Sequence, residues 1–91
     1  MVRPRLCRRV RIRPKTYYYK PRGIPLFQLK EVSISKEELE ALRLNDYLEL
    51  NQTKSAKKMN TSQSTFQRIL VSARKKVAEV LVKGKALRIE S

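Results

Sequence analysis

Gln52-Thr-Lys-Ser-Ala-Lys-Lys-Met-Asn-Thr-Ser-Gln-Ser-Thr-Phe-Gln-Arg-Ile-Leu70 reads as two short helices joined by a tight turn. Ala56 falls where the helices cross, and its small side chain lets the backbones approach. Asn60 follows the first helix, and asparagine tolerates the left-handed conformation that stops a helix. Ser62 is placed to cap the second helix with its hydroxyl oxygen. Phe66 and Ile69 lie one turn apart, so both turn inward toward Ala56 and Met59. Gln63, Ser64, Gln67 and Arg68 are then left on the other face. This pattern predicts a helix-turn-helix, whose second helix enters the DNA major groove.

Outward from this stretch the pattern continues. Phe66, Ile69, Leu70, Ala73, Val77 and Leu81 form one apolar stripe at spacings of three and four. A helix over residues 63–82 is expected, about 30 Å long, with Gly84 as its stop. Arg74, Lys75 and Lys76 lie past the groove-reading turn, where a helix passes phosphates. On the other side, Ser35-Lys-Glu-Glu38 is a capping box that opens a helix running to about Leu48. Leu39, Leu42 and Leu44 give that helix its apolar side. It is acidic and is expected to pack behind the motif rather than touch DNA.

The ends of the chain read as extended. Residues 1–22 hold seven arginines and two lysines without one acid, and Pro4, Pro14 and Pro21 forbid a long helix. Val10 and Ile12 alternate with Arg11 and Arg13, as in a short strand with one basic face. Tyr17, Tyr18 and Tyr19 favour extended structure, and residues 20–25 read as a loop. Leu29, Val32 and Ile34 suit an edge strand. Ala86-Leu-Arg-Ile89 suits another, pairing with Val10 and Ile12 or with a second subunit. The expected organisation is a basic arm and loop over 1–34 and a helix-turn-helix domain over 35–91. The fold class is mainly α, with short β segments near both ends.

The chain has 91 residues, enough for one domain with a modest core. Its 22 basic residues against 8 acidic give a net charge of +14, which calls for an anionic partner. Nucleic acid fits best, with an anionic membrane surface second. No apolar run reaches the roughly 20 residues of a membrane span, and the basic N-terminus lacks the apolar core of a secretory signal. Cys7 is the single cysteine and histidine is absent, which excludes an internal disulfide and disfavours a structural zinc site. A cytoplasmic protein is expected. With no histidine, no Gly-rich phosphate loop and few carboxylates, no catalytic constellation assembles. A non-enzyme without metal or cofactor follows.

The residues also resemble a family of small uncharacterised prokaryotic proteins regarded as DNA-binding and classed as a domain of unknown function. The resemblance runs from Arg3 to Ile89. It is carried by Arg3-Pro-Arg, Cys7-Arg-Arg-Val, Tyr19-Lys-Pro-Arg-Gly-Ile-Pro-Leu, Glu37-Glu-Leu-Glu-Ala-Leu-Arg-Leu-Asn-Asp, Ser64-Thr-Phe-Gln-Arg-Ile-Leu, Ala73-Arg-Lys-Lys-Val-Ala-Glu and Gly84-Lys-Ala-Leu-Arg-Ile. The central part is similar to the fourth region of bacterial sigma factors, a helix-turn-helix that reads a promoter element. Five positions depart from the family pattern. Glu49 and Asn60 stand where glycine is usual, Thr53-Lys54 replace two acids, and Gln63 replaces an arginine.

Together these readings predict sequence-specific binding of double-stranded DNA by a small transcriptional regulator, plausibly as a two-fold dimer on a palindromic site. Gln63 and Gln67 suit adenine edges, Arg68 suits guanine or phosphate, and Ser64 suits either more weakly. Gln52, Thr53 and Ser62 are expected at phosphates, with Arg74, Lys75, Lys76 and the arm residues Arg3, Arg5, Arg8 and Arg9. An RNA-binding or ribosome-associated protein accounts for the charge equally well, though not for the turn at Asn60 and Ser62. A non-specific nucleoid protein is the structural alternative. No small-molecule substrate is evident.

Overall fold

Side-chain caps start the three α-helices, and left-handed residues end the second and third. The computed structural model describes residues 9–90. About half of the chain is helical, in three helices backed by a short three-stranded sheet. Helix α1, Lys36–Ala41, starts at Ser35. The Ser35 hydroxyl accepts from the Glu38 amide at 3.1 Å, and the Glu38 carboxylate accepts from the Ser35 amide at 2.9 Å. This is the capping box read from the sequence.

The expected helix to Leu48 is present as far as Tyr47, but its second half, Leu42–Tyr47, is π-helical. There the Leu48 amide donates to the Arg43 carbonyl five residues back, at 2.8 Å. The segment ends on Glu49 at φ 61°, a left-handed conformation that strains any side chain. Glu49→Gly relieves that strain and is expected to stabilise the protein by about 1 kcal/mol. Urea unfolding at fixed pH measures it; a midpoint that stays put or falls would show that Glu49 is held by contacts worth the strain.

Helix α2, Gln52–Lys58, is capped by the Asn51 side chain, which accepts from the Lys54 amide at 2.8 Å. Asn60 then adopts φ 57°. Its amide donates to the Lys57 carbonyl and the Thr61 amide to the Ala56 carbonyl, both at 3.0 Å, the paired bonds of a Schellman turn. Helix α3, Gln63–Lys83, follows from the Ser62 cap and ends at left-handed Gly84. The Lys85 amide closes that end onto the Val80 carbonyl.

Strands β1 (Tyr18–Tyr19), β2 (Glu31–Ile34) and β3 (Ala86–Ile89) form one sheet with β3 in the centre. β1 pairs with β3 antiparallel, with Tyr18 opposite Arg88, and β2 pairs with it in parallel, with Ile34 opposite Ile89. This corrects the expected pairing of Ala86–Ile89 with Val10 and Ile12. The tyrosines take that edge of β3, and no strand forms over Val10 and Ile12. Those residues are nonetheless extended and alternate inward and outward as their period of two demanded. They run along the helices: the Arg9 amide donates to the Met59 carbonyl at 3.0 Å, and the Arg11 amide to the Glu40 carboxylate at 3.3 Å.

One part of the core joins α1, the π turn, α2 and α3 through Ala41, Leu44, Ala56, Met59, Phe66 and Leu70, with Val10 packed against it. A second part joins α3 to the sheet through Ala73, Ile34 and Ile89. The stripe on α3 is thus buried through Ala73 and half-buried at Val77. Leu81, expected on the same stripe, is 77% exposed, while Val80 beside it is half-buried.

Between α1 and α3, Glu38 accepts from the Ser72 hydroxyl and from Lys76 Nζ, the latter at 2.9 Å. Burial pushes the Glu38 carboxyl up, but the Ser35 amide, the Ser72 hydroxyl and the Lys76 ammonium together hold it below its ordinary value. A carboxylate with a depressed folded pKa stabilises the fold above its unfolded pKa, and that contribution is lost as pH falls through the folded value. Glu38→Gln is therefore expected to be less stable than the parent at about pH 7, with the gap closing in acid. Urea melts at about pH 7 and about pH 3 check this; an equal gap at both would mean that Glu38 acts by shape and not by charge.

Candidate functional site

The four-residue turn between α2 and α3 brings the starts of both helices to one side. Thr53 Oγ1 lies 3.5 Å from Gln63 Oε1, so a residue expected at phosphate sits beside one expected at a base edge. Ser62 caps α3: its oxygen accepts from the Thr65 amide at 3.1 Å and its hydroxyl donates to Thr65 Oγ1 at 3.0 Å. That hydroxyl is committed to the fold. Ser64 lies next to it, 3.4 Å from Ser62 Oγ.

Gln63, Ser64, Gln67 and Arg68 are all exposed. Ser64 and Arg68 lie on the side of α3 away from fully buried Phe66 and Leu70, Gln67 flanks that side, and Gln63 stands on the first turn, three residues before Phe66. The core stripe fixes the direction of Ser64, Gln67 and Arg68, which fall one or two positions from Phe66 and so point sideways or out. Val71 continues this outer face and is 51% exposed. Sequence reasoning missed it. The signal was an apolar residue one turn after Gln67, off the core stripe. Lys54 and Lys57, exposed on α2, were also missed, although they follow Thr53 on the same short helix.

The three cations farther along α3 are not equivalent. Arg74 forms a two-bond fork on Asp46 of the π turn, at 3.0 and 2.6 Å. The Arg74 hydrogen bond holds the Asp46 carboxyl below its ordinary value. Lys76 is paired with Glu38. Lys75 is exposed. Of the arm residues, Arg9 is exposed and held by its backbone against the end of α2. Arg3, Arg5 and Arg8, and with them Cys7, lie outside the described residues. Gln52, at the first turn of α2, is half-buried.

Among the described residues no group of His, Cys, Asp and Glu is placed to hold a metal ion. No helix among them is long and apolar enough to cross a membrane.

These features define a small, mainly helical basic protein with a polar helix face beside a capped turn. The chain belongs to the family described as protein of unknown function DUF134, whose model matches residues 1–91. A UPF0251 protein of Dehalococcoides mccartyi is 60% identical over 90 residues, covering 99% of this chain and 77% of the relative. A UPF0251 protein of Syntrophomonas wolfei is 54% identical, covering 99% of this chain and 69% of the relative. No solved structure matches the chain.

Proposed function

We propose that this protein binds double-stranded DNA sequence-specifically, as a small transcriptional regulator, with α2 and α3 acting as a helix-turn-helix similar to the fourth region of sigma factors. The observation that carries the reading is the exposed set Gln63, Ser64, Gln67 and Arg68 on the first turns of α3, directly after a capped turn, on a helix anchored by buried Phe66. A helix inserted N-terminus first presents those turns to base edges. Glutamine amides both donate and accept, which matches adenine, and an arginine fork matches guanine. Val71 adds an apolar surface suited to a thymine methyl group.

Phosphates fall to Thr53, Lys54 and Lys57 on α2, to Lys75, and to the arm. Arg74 and Lys76 serve the fold first, through Asp46 and Glu38. The acidic α1 stays behind the interface. In this reading the protein is a binder and not an enzyme, needs no cofactor, and works in the cytoplasm. One reading helix contacts few base pairs, so two copies on a palindrome give the affinity that a regulator needs.

Selection of bound fragments from a random duplex library tests the reading, followed by competition with structured RNA. An enriched motif that survives RNA competition is expected. A nucleoid protein would enrich no motif, and an RNA-binding protein would be displaced by the RNA.

A further inference from the structure

The arm, the π turn and the end of α2 enclose an open cleft of about 580 Å³, within the usual size of small-ligand sites. Arg11 and Arg13 line it from the arm, Arg43 from the π turn and Lys58 from α2. Arg11, Arg13 and Lys58 are exposed, and their side chains have no acidic partner among the described residues.

The one carboxylate in the cleft is Glu40, 1% exposed. It is already engaged: Arg43 Nε and Nη2 donate to it at 2.8 and 3.0 Å, and the Arg11 amide at 3.3 Å. Glu40 therefore orients the Arg43 fork and leaves its other N–H groups for a ligand. With Glu40 neutralised by Arg43, three uncompensated cations remain, a surplus that favours an anion of more than one charge, and arginine forks match phosphoryl oxygens in geometry. The cleft also borders π-helical Leu42–Tyr47 and left-handed Glu49, and irregular, strained backbone of this kind gathers at ligand sites.

We propose that this cleft is a phosphate-binding site in which Arg11, Arg13, Arg43 and Lys58 hold a phosphoryl group. The phosphoryl group comes either from the backbone of the duplex or from a free phosphorylated small molecule. The first source rests on the DNA-binding reading above; the second does not. Either occupant ties the arm to α2.

The test uses the full chain and the double variant Arg13→Ala with Lys58→Ala. Both side chains are exposed and unpaired, so the variant keeps the parent's melting temperature. Duplex affinity is titrated against salt, and pyrophosphate is titrated against the amide spectrum of each protein. If the backbone is the source, the slope of log affinity against log salt flattens by about 2 units, with site preference unchanged. If a free molecule is the source, the slope is unchanged. Pyrophosphate then shifts the amides of residues 11–13, Arg43 and Lys58 saturably in the parent, and binds the variant at least about tenfold more weakly. A parent that binds no duplex refutes the DNA reading alone, and pyrophosphate still decides the cleft. An unchanged slope together with no saturable pyrophosphate shift overturns the site.

Discussion

Phe66→Ala is expected to remove about 3–5 kcal/mol of folding stability, out of the roughly 5–15 kcal/mol of a small domain. The ring is 0% exposed and belongs to one buried cluster with Ala41 of α1, Leu44 of the π turn and Ala56 and Met59 at α2. Truncation leaves a cavity at the one point where all these elements meet. Ala41 and Ala56 have no rotamer by which to fill it, while Met59 and Leu70 can relax into part of it, so the cost falls within that range. Denaturant unfolding followed by circular dichroism measures the loss as a lower midpoint at unchanged slope. Phe66→Leu retains most of the volume and loses about half as much or less. Any binding activity is expected to vanish with the fold and to return when folding is restored at lower temperature. A Phe66→Ala protein with the parent's stability and no binding would instead put the ring at the interface, and the orientation of α3 would be reversed.

Features decided within a few residues were legible in the sequence. The Ser35 and Glu38 box, the Asn60 turn, the Ser62 cap and the Gly84 stop each depend on one side chain or one backbone torsion, and all four are present. The apolar stripe of α3 was legible for the same reason, because its period reports a buried face. A period cannot report which residue of the last turn meets the partner: Val80 is half-buried and Leu81 is exposed.

What was not legible depends on distant residues. Alternation at Val10 and Ile12 correctly signalled one inward face, but a period of two does not say whether a strand or a helix surface lies beneath. The centre of the sheet at Ala86–Ile89 needed the register of two other strands. Likewise the charges of Arg74 and Lys76 counted as free until the fold brought Asp46 within 2.6 Å of one and Glu38 within 2.9 Å of the other. The π register of Leu42–Tyr47 has no signal in the spacing of Leu39, Leu42 and Leu44 that separates it from an ordinary helix.

Gln63→Ala and Gln67→Ala are each expected to lose about 1–3 kcal/mol of discrimination at one or two base pairs, without loss of stability. Both side chains are exposed and one helical turn apart, so they meet successive positions along a groove. Neither packs in the core, and Gln63 makes only a long contact to Thr53. Folding therefore gives no reason for a loss. The two side chains are helix neighbours one turn apart, so the double variant is expected to lose at least as much discrimination as either single change, without strict additivity. Affinity for a scrambled duplex should barely move, because phosphate contacts from α2 and the arm carry no base identity. The result is thus a narrowing of the gap between preferred and scrambled duplex, read at one salt concentration for every variant. Gln63→Arg offers the converse. It should move preference at that position toward guanine, which an arginine fork reads through O6 and N7. If both alanine variants keep the parent's motif and Gln63→Arg does not shift it, the first turns of α3 do not read bases. The search would then move to Val71 and Lys75 farther along the same face.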